Sequence, residues 1–337
     1  MCASSADEAR WAVARRIGRA GSLLLVTHAR PDGDGLGSIC AVGRCAQARG
    51  IPARLLVPDE VPRRYRSLFA EGPPAQAGQF AHLADGAELV VVMDTCAYAQ
   101  LDGLRGHLEA RRDKIVVIDH HVTGDDLAAM QWVDTTAAAT GVMVHELLAE
   151  MYWPVGPRAA RDLLVAIVSD TGWLRFSNTD ARTLRCAADL LDAGARPDEL
   201  FAALYQRDRP QRLRLLERML GSLELHHGER LAVMALRDRD FREIGATEGE
   251  TENLINESLR LETVQAAVLL VENAQAVRVS LRSRGDVNVA RVAEQFGGGG
   301  HARAAGCRVD ENLDKLKDRL VAALGAALAS GGKETVR

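Results

Sequence analysis

Three short apolar runs, each ending in a carboxylate or an imidazole, constrain this chain more than any other feature. Ser22-Leu23-Leu24-Leu25-Val26-Thr27 leads into His28, Glu88-Leu89-Val90-Val91-Val92-Met93 into Asp94-Thr95, and Lys114-Ile115-Val116-Val117-Ile118 into Asp119-His120-His121. Runs this short and this apolar read as strands buried on both faces, as in a parallel sheet covered by helices. In such a sheet the carboxyl ends lie on one edge, so the polar residues that end the strands can converge. Polar groups leaving a buried strand need partners, and the three endings are each other's candidates.

The segments between the runs fit the same architecture. The first run opens into His28-Ala29-Arg30-Pro31-Asp32-Gly33-Asp34-Gly35-Leu36-Gly37-Ser38, where Pro31 and three glycines are expected to turn the backbone tightly before a helix over 36–49. Further helices are expected over 7–20 and 138–150, and from Pro157 through Leu163, Leu164, Ile167 and Val168 to Ser169-Asp170-Thr171-Gly172. Asp170 is therefore a fourth carboxylate at the end of a buried segment. Residues 52–57 read as another strand and 122–137 as a polar loop. Helices over 180–193, 197–205 and 210–223 follow, punctuated by Pro197 and Pro210, and a domain boundary falls near them.

Beyond residue 230 a second pattern begins. Leu231 to Leu236, Glu262 to Val271 and Ala276 to Leu281 read as strands, the last alternating Val277, Val279 and Leu281 against polar residues. Arg282-Ser283-Arg284, a short helix at 288–296 and the run Gly297-Gly298-Gly299-Gly300-His301-Ala302-Arg303-Ala304-Ala305-Gly306 come next, before an amphipathic helix over 311–329. Four successive glycines are expected to have no packing use. They are expected to form a loop whose backbone N–H groups approach an anion, with His301 and the nearby arginines adding positive charge. The expected organisation is α/β throughout: a parallel-sheet catalytic domain at 1–195, a helical linker at 196–225, a smaller α/β substrate-binding domain at 226–330 and a disordered tail at 331–337.

The convergent residues are His28, Asp32, Asp34, Asp94, His120 and Asp170, with Asp119 and His121 adjacent. Four carboxylates packed together repel one another unless cations neutralise them. Mixed imidazole and carboxylate ligands suit Mn²⁺, Fe²⁺ or Zn²⁺. Six ligands exceed what one catalytic metal with an open position needs, and they suit two divalent ions about 3.5–4 Å apart, an arrangement that hydrolyses phosphoesters.

Composition excludes several alternatives. A net charge of −4 argues against a protein that coats long nucleic acid through a basic field. Lysine occurs only at Lys114, Lys315, Lys317 and Lys333, a bias under which no single arginine counts as a phosphate ligand by its presence alone. Cys2, Cys40, Cys45, Cys96, Cys186 and Cys307 include no CxxC pair and read as free thiols of a reducing cytosol. The absence of a signal peptide and of an apolar span near 20 residues leads to the expectation of a cytoplasmic protein with no membrane contact.

These residues resemble the DHH phosphoesterase superfamily. His28…Asp32-x-Asp34-x-x-Gly37-Ser38, Asp94, Asp119-His120-His121 and Asp170 match its metal-site motifs in order, and Gly297 to Gly300, His301 and Ala304-Ala305-Gly306 match its DHH-associated C-terminal domain. The resemblance implies one Mn²⁺ held by His28, Asp32 and Asp94 and a second held by Asp34, Asp94, His120 and Asp170, with Asp94 bridging. It implies that His121 contacts the scissile phosphate or acts as the acid for the leaving oxygen, with Asp119 supporting the imidazoles. Gly298, Gly299, Gly300, His301 and Arg282 or Arg284 would grip the substrate's other phosphate.

The compact two-domain form is similar to the bacterial branch that degrades RNA of 2–5 nucleotides and removes the 3′-phosphate from 3′-phosphoadenosine 5′-phosphate (pAp). A homodimer is also what the resemblance suggests. Stand-alone relatives acting on cyclic di-AMP or linear pApA share every motif, and they remain the alternative. A RecJ-like exonuclease would need an added domain and a basic channel for long strands. A non-catalytic nucleotide-binding regulator would be expected to have lost ligands, and none is missing here.

Overall fold

The structure is a computed structural model that describes residues 5–331 except 102, 123, 274 and 275, and the side chains of 5, 6, 301 and 331 also lie outside the described residues. The tail expected at 331–337 falls there too, except for the backbone of 331. The chain divides into two compact units, Met1–Arg207 and Asp208–Arg337.

The first unit contains a five-stranded sheet of β1 (Leu23–Val26), β2 (Ala53–Leu56), β3 (Leu89–Met93), β4 (Ile115–Asp119) and β5 (Met130–Val133). Its order is β2-β1-β3-β4-β5 and all four pairings are parallel. The helices are α1 (Ser5–Gly18), α2 (Gly33–Ala48), α3 (Phe80–Gly86), α4 (Arg105–Glu109), α5 (Thr140–Glu150), α6 (Pro157–Asp170), α7 (Ala181–Asp192) and α8 (Pro197–Tyr205).

Alternation along the strands explains why both faces are dry. Leu23, Leu25, Leu89, Val91, Met93, Val116 and Ile118 join one core with α1, α2, α5 and α6, while Leu24, Val26, Val90, Val92, Ile115 and Val117 join the opposite core with Phe80 and Leu108. The strand order reverses direction between β1 and β3. That is the switch point where an open α/β sheet leaves a crevice beyond its carboxyl ends.

Two expectations change here. The segment read as a tight turn at 33–37 is the first turn of α2: Asp32 caps it, its side chain accepting from the N–H of Asp34 and Gly35. The glycines serve close approach instead. A Cβ at Gly37 would collide with the Asp162 carbonyl and lie 2.9 Å from the Ala166 nitrogen, so α2 and α6 meet backbone to backbone. The polar loop expected after β4 contains β5, where Trp132 is buried and its neighbours are not. Four residues with one buried side chain are too few for a periodicity to register.

The second unit carries α9 (Pro210–Gly221), β6 (Glu224–His226), β7 (Leu231–Leu236), α10 (Asp238–Ile244), β8 (Ala266–Glu272), β9 (Val277–Ser283), α11 (Val289–Glu294), β10 (Gly299–His301), β11 (Ala304–Val309) and α12 (Leu313–Gly331). Its six-stranded sheet has the order β10-β11-β9-β8-β7-β6, with β7 and β8 parallel and the other pairs antiparallel. The helices expected as a linker divide between the units: Leu200 of α8 is buried in the first unit's core, whereas Leu215 and Met219 of α9 are buried under β7 and β8.

Only the second half of the glycine run is a strand; Gly297 lies in a turn. Gly299–His301 forms an edge strand paired with Ala304–Gly306. Gly298 and Gly300 have a packing role that the sequence reading denied them. A Cβ at Gly298 would strike the Gly306 carbonyl, and one at Gly300 (φ 139) would lie 2.6 Å from the Ala304 carbonyl. No helix among the described residues is long and apolar enough to cross a membrane, and the described cysteines, Cys40, Cys45, Cys96, Cys186 and Cys307, are buried.

Candidate metal centre

The predicted ligands meet at the switch point. His28 follows β1, Asp94 follows β3, His120 follows β4, Asp34 stands in the first turn of α2, and Asp170 ends α6. Asp94 adopts φ 66, a left-handed conformation that strains a residue carrying a Cβ and that Asp tolerates better than most. Its N–H is held by the Ile118 carbonyl at 2.9 Å, which fixes the turn at the sheet edge.

Two ligand sets result. His28 Nε2 lies 3.6 Å from Asp32 Oδ1 and 3.4 Å from Asp94 Oδ2. His120 Nε2 lies 3.3 Å from Asp170 Oδ2, 3.5 Å from Asp94 Oδ1 and 3.7 Å from Asp34 Oδ2. The groups His28–Asp32–Asp94, Asp34–His120–Asp170 and Asp94–His120–His121 each bring three donor atoms within 4.8 Å of one another. Asp94 belongs to both neighbourhoods through different oxygens.

Both imidazoles are oriented for ligation. His28 Nδ1 donates to the Ala29 carbonyl at 2.8 Å and His120 Nδ1 to the Ala137 carbonyl at 3.1 Å, so each turns Nε2 toward the carboxylates. His120 Nε2 is buried and makes no hydrogen bond of acceptable geometry. An orphaned buried nitrogen facing three carboxylates fits a cation. Asp170 adds to this, since it sits at the carboxyl end of α6, where the helix dipole disfavours negative charge.

The electrostatics agree. Burial pushes Asp34 well above the usual carboxylate range, with Asp94 and Asp170 adding to it, and burial likewise raises Asp170. Burial opposes the charge of Asp94 as well, yet the imidazoles of His120 and His28 hold it below the usual range. Burial disfavours the imidazolium of His28, but Asp32 and Asp94 push it up to about 11; against the same penalty, Asp170 and Asp94 push His120 up to about 12. Protons here stand in for the positive charge that the carboxylates demand.

Asp119 has no solvent exposure and organises its two neighbours. Its Oδ1 accepts from the N–H of His120 at 2.8 Å, the N–H of His121 at 3.3 Å and His121 Nδ1 at 2.7 Å. The His121 ring packs edge-on against His120, with centroids 4.7 Å apart, and its side chain is 44% exposed. With Nδ1 committed to Asp119, the opposite nitrogen of His121 is the one left for a substrate. The Asp119 hydrogen bond also raises the His121 imidazolium.

Sequence reasoning missed the groups that hold the carboxylates. Thr140 N–H and Gly141 N–H, the first two of α5, donate to Asp34 at 2.6 and 2.9 Å. Thr140 Oγ1 donates to Asp94 Oδ1 at 3.0 Å. Asp34 thus satisfies orphan donors of a helix 106 residues further along the chain. A threonine in the first turn of the expected helix was visible, but nothing in the pattern names a distant partner for it.

In the second unit the predicted phosphate ligands separate. Arg282 is half-buried, its Nη1 donates to the adjacent Leu281 carbonyl at 3.0 Å, and no carboxylate pairs with it among the described residues. Burial pulls its guanidinium below the usual arginine range. Arg284 is committed to the fold, donating to the carbonyls of Val264 and Glu262 at 2.8 and 2.9 Å. Gly298 N–H is taken by the Ala293 carbonyl at the end of α11, while Gly299 and Gly300 lie on the edge strand. His301 ends that strand, and its side chain lies outside the described residues.

Several known proteins are similar to this chain. The family model described as DHH family, N-terminal domain matches residues 22–167, and that of the DHHA1 domain matches residues 228–329. Over 313 residues the chain is 31% identical to the bifunctional oligoribonuclease and PAP phosphatase NrnA of Thermus thermophilus, covering 93% of this chain and 92% of that protein. The Bacillus subtilis protein of the same name is 28% identical over 305 residues, covering 88% and 91%. An exopolyphosphatase-related protein from Bacteroides fragilis has the same fold, with a TM-score of 0.89 at 20% identity over 97% of this chain and 98% of that one.

Proposed function

The chain belongs to the DHH phosphoesterase family, and on that basis we propose that it hydrolyses short oligoribonucleotides to mononucleotides and pAp to AMP. The observation that carries this reading is the pair of ligand sets at one sheet edge, with Asp94 3.4 Å from His28 and 3.5 Å from His120. His28, Asp32 and Asp94 would hold one divalent cation, and Asp34, Asp94, His120 and Asp170 the other. Manganese is our choice for both. When bound, such ions supply Lewis-acid polarisation of a phosphate and a water nucleophile at neutral pH.

The chain's own residues do the rest. The N–H groups of Thr140 and Gly141 keep Asp34 in place, and Thr140 Oγ1 orients Asp94. Asp119 holds His121 by Nδ1, so that the other nitrogen can deliver a proton to the leaving oxygen. In the second unit Arg282, with the edge backbone of Gly299 and Gly300 and with His301, binds a phosphate. Arg284 braces the carbonyls of Val264 and Glu262. A cytoplasmic homodimer acting on neither membranes nor long nucleic acid completes the reading.

The test is a side-by-side assay with Mn²⁺ on pAp, RNAs of two to five nucleotides, pApA and cyclic di-AMP, with a chelator control. Mononucleotides from the short RNAs and AMP from pAp, both abolished by chelation, are the expected result. Turnover confined to cyclic di-AMP or pApA would overturn the substrate assignment, and binding without turnover would make the protein a regulator.

A further inference from the structure

Beyond Asp170 the chain makes an uncommon turn. Gly172, Trp173 and Leu174 are successive residues at φ 53, 61 and 61. Side chains rarely adopt that region, so the surroundings must impose it. Thr171 does much of this: its Oγ1 accepts from Leu174 N–H at 3.1 Å, and its carbonyl accepts from Arg175 N–H at 2.9 Å and Phe176 N–H at 3.0 Å. Trp173 N–H returns to the Val168 carbonyl at 3.0 Å.

The turn seats the Trp173 ring against α8. Its centroid lies 5.1 Å from Phe201 at 70° and 5.8 Å from Tyr205 at 67°, and Phe201 and Tyr205 lie 5.3 Å apart. Such geometry is what aromatic quadrupoles prefer. Yet the two α8 rings are not covered: Phe201 is 42% exposed and Tyr205 40%. Braced rings left open offer rigid faces at little entropic cost.

Tyr65 belongs to the core against which Trp173 packs, and it reaches the proposed metal centre. Its hydroxyl is 3.3 Å from Ser169 Oγ, and its ring lies 3.0 Å from where a Cβ on Gly33 would stand, between Asp32 and Asp34. Burial raises the Tyr65 phenol, and Asp32 and Tyr205 are both near enough to raise it further. A cation is also at hand. Arg175 donates to the Gly172 carbonyl at 2.7 Å and has no carboxylate partner among the described residues.

We propose that Phe201 and Tyr205, backed by Trp173, are the stacking platform for a base of the short oligonucleotide cleaved at the adjoining metal centre, with Arg175 facing its phosphate. This rests on the oligoribonuclease reading above. Exposed aromatic faces interleaved with an unpaired arginine are the usual means of holding single-stranded nucleotides without sequence preference. A second copy of this chain would be the other occupant, but the unpaired arginine and the continuity with Asp32 and Asp170 favour a nucleotide.

The experiment compares wild type with F201L/Y205L, which keeps apolar bulk, and F201Y/Y205F, which keeps both rings. Each is assayed with Mn²⁺ on a diribonucleotide and on its two abasic analogues, with oligomeric state and melting temperature measured alongside. The leucine pair should raise KM for the diribonucleotide roughly ten-fold with kcat nearly unchanged. It should have no effect on the analogue that already lacks the stacked base, and the ring-retaining pair should match wild type. Equal losses on all three substrates, an unchanged KM, or a leucine pair that alters the oligomeric state would overturn the platform. Wild-type protein that leaves diribonucleotides intact would instead overturn the functional reading, and this inference with it.

Discussion

Two glycine-rich segments look alike in the sequence and behave differently in the fold. In Asp32-Gly33-Asp34-Gly35-Leu36-Gly37 the chain is helical, and the missing Cβ atoms let α2 approach α6 and β1. The side chains we propose as metal ligands there, Asp32 and Asp34, flank Gly33. In Gly297-Gly298-Gly299-Gly300 the chain is turned and then extended, with φ 73 at Gly297 and 139 at Gly300, and Gly299 and Gly300 pair with β11 as part of an edge strand. No side chain exists there to do chemistry, so any ligand must be met by backbone and by neighbours such as Arg282. A glycine signals only that something comes close; the neighbouring elements decide whether that is a helix, a strand or a ligand.

That contrast can be broken most directly at the first segment's centre. Asp94→Asn should retain the fold, since Asn also tolerates a left-handed backbone, yet reduce kcat/KM by roughly a thousand-fold or more. Retention of most activity would remove Asp94 from the centre of both ligand sets. Next in size, Gly37→Ala should destabilise the protein by about 1–3 kcal/mol through overpacking against α6. Gly299→Ala, whose Cβ would meet nothing within 4 Å, should stay within about 0.5 kcal/mol of wild type in denaturant unfolding. Comparable losses at both positions would erase the distinction.

The arginines beside the second segment should separate in the same way. Arg282→Met should raise KM for pAp roughly ten-fold with the melting temperature unchanged. Arg284→Met should lower the melting temperature, because it leaves the carbonyls of Val264 and Glu262 without a donor.

The smallest effect concerns how α2 is held on α6. Burial pushes the Asp162 carboxyl up to about 6, against the pull of Arg44, whose Nε lies 2.6 Å away. The folded chain therefore holds this proton more tightly than the unfolded chain between pH 3.8 and about 6, and the site's contribution to stability falls as pH rises through that window. In Asp162→Asn the slope of melting temperature against pH over the same window should become more positive than in wild type, and an unaltered slope would assign the effect elsewhere.

Much of the candidate centre was legible because its signals are local. A buried strand announces itself by a run such as Val90-Val91-Val92, and the polar residue that ends it follows immediately in the chain. Asp170 was found by the same logic at the end of a helix. β5 was not, because its single buried Trp132 leaves no period to detect. The glycine run was misread because the strand it needs, β11, lies beyond the turn at 302–303, and pairing is a relation between segments. Arg284 and Arg282 are indistinguishable in sequence; the distant carbonyls of Val264 and Glu262, which only Arg284 grips, tell them apart.

By itself, then, the sequence determined the alternation of buried strands and helices, the family, and which side chains end those strands. These follow from burial periodicity and chain order, properties carried by adjacent residues. Tertiary structure alone decided that Thr140 and Gly141 hold Asp34, that Gly298 and Gly300 are packing residues, and that Trp173 meets Phe201 and Tyr205 beside the metal centre. Each of those is a contact between distant segments, fixed by how the elements pack and not by any pattern within one of them.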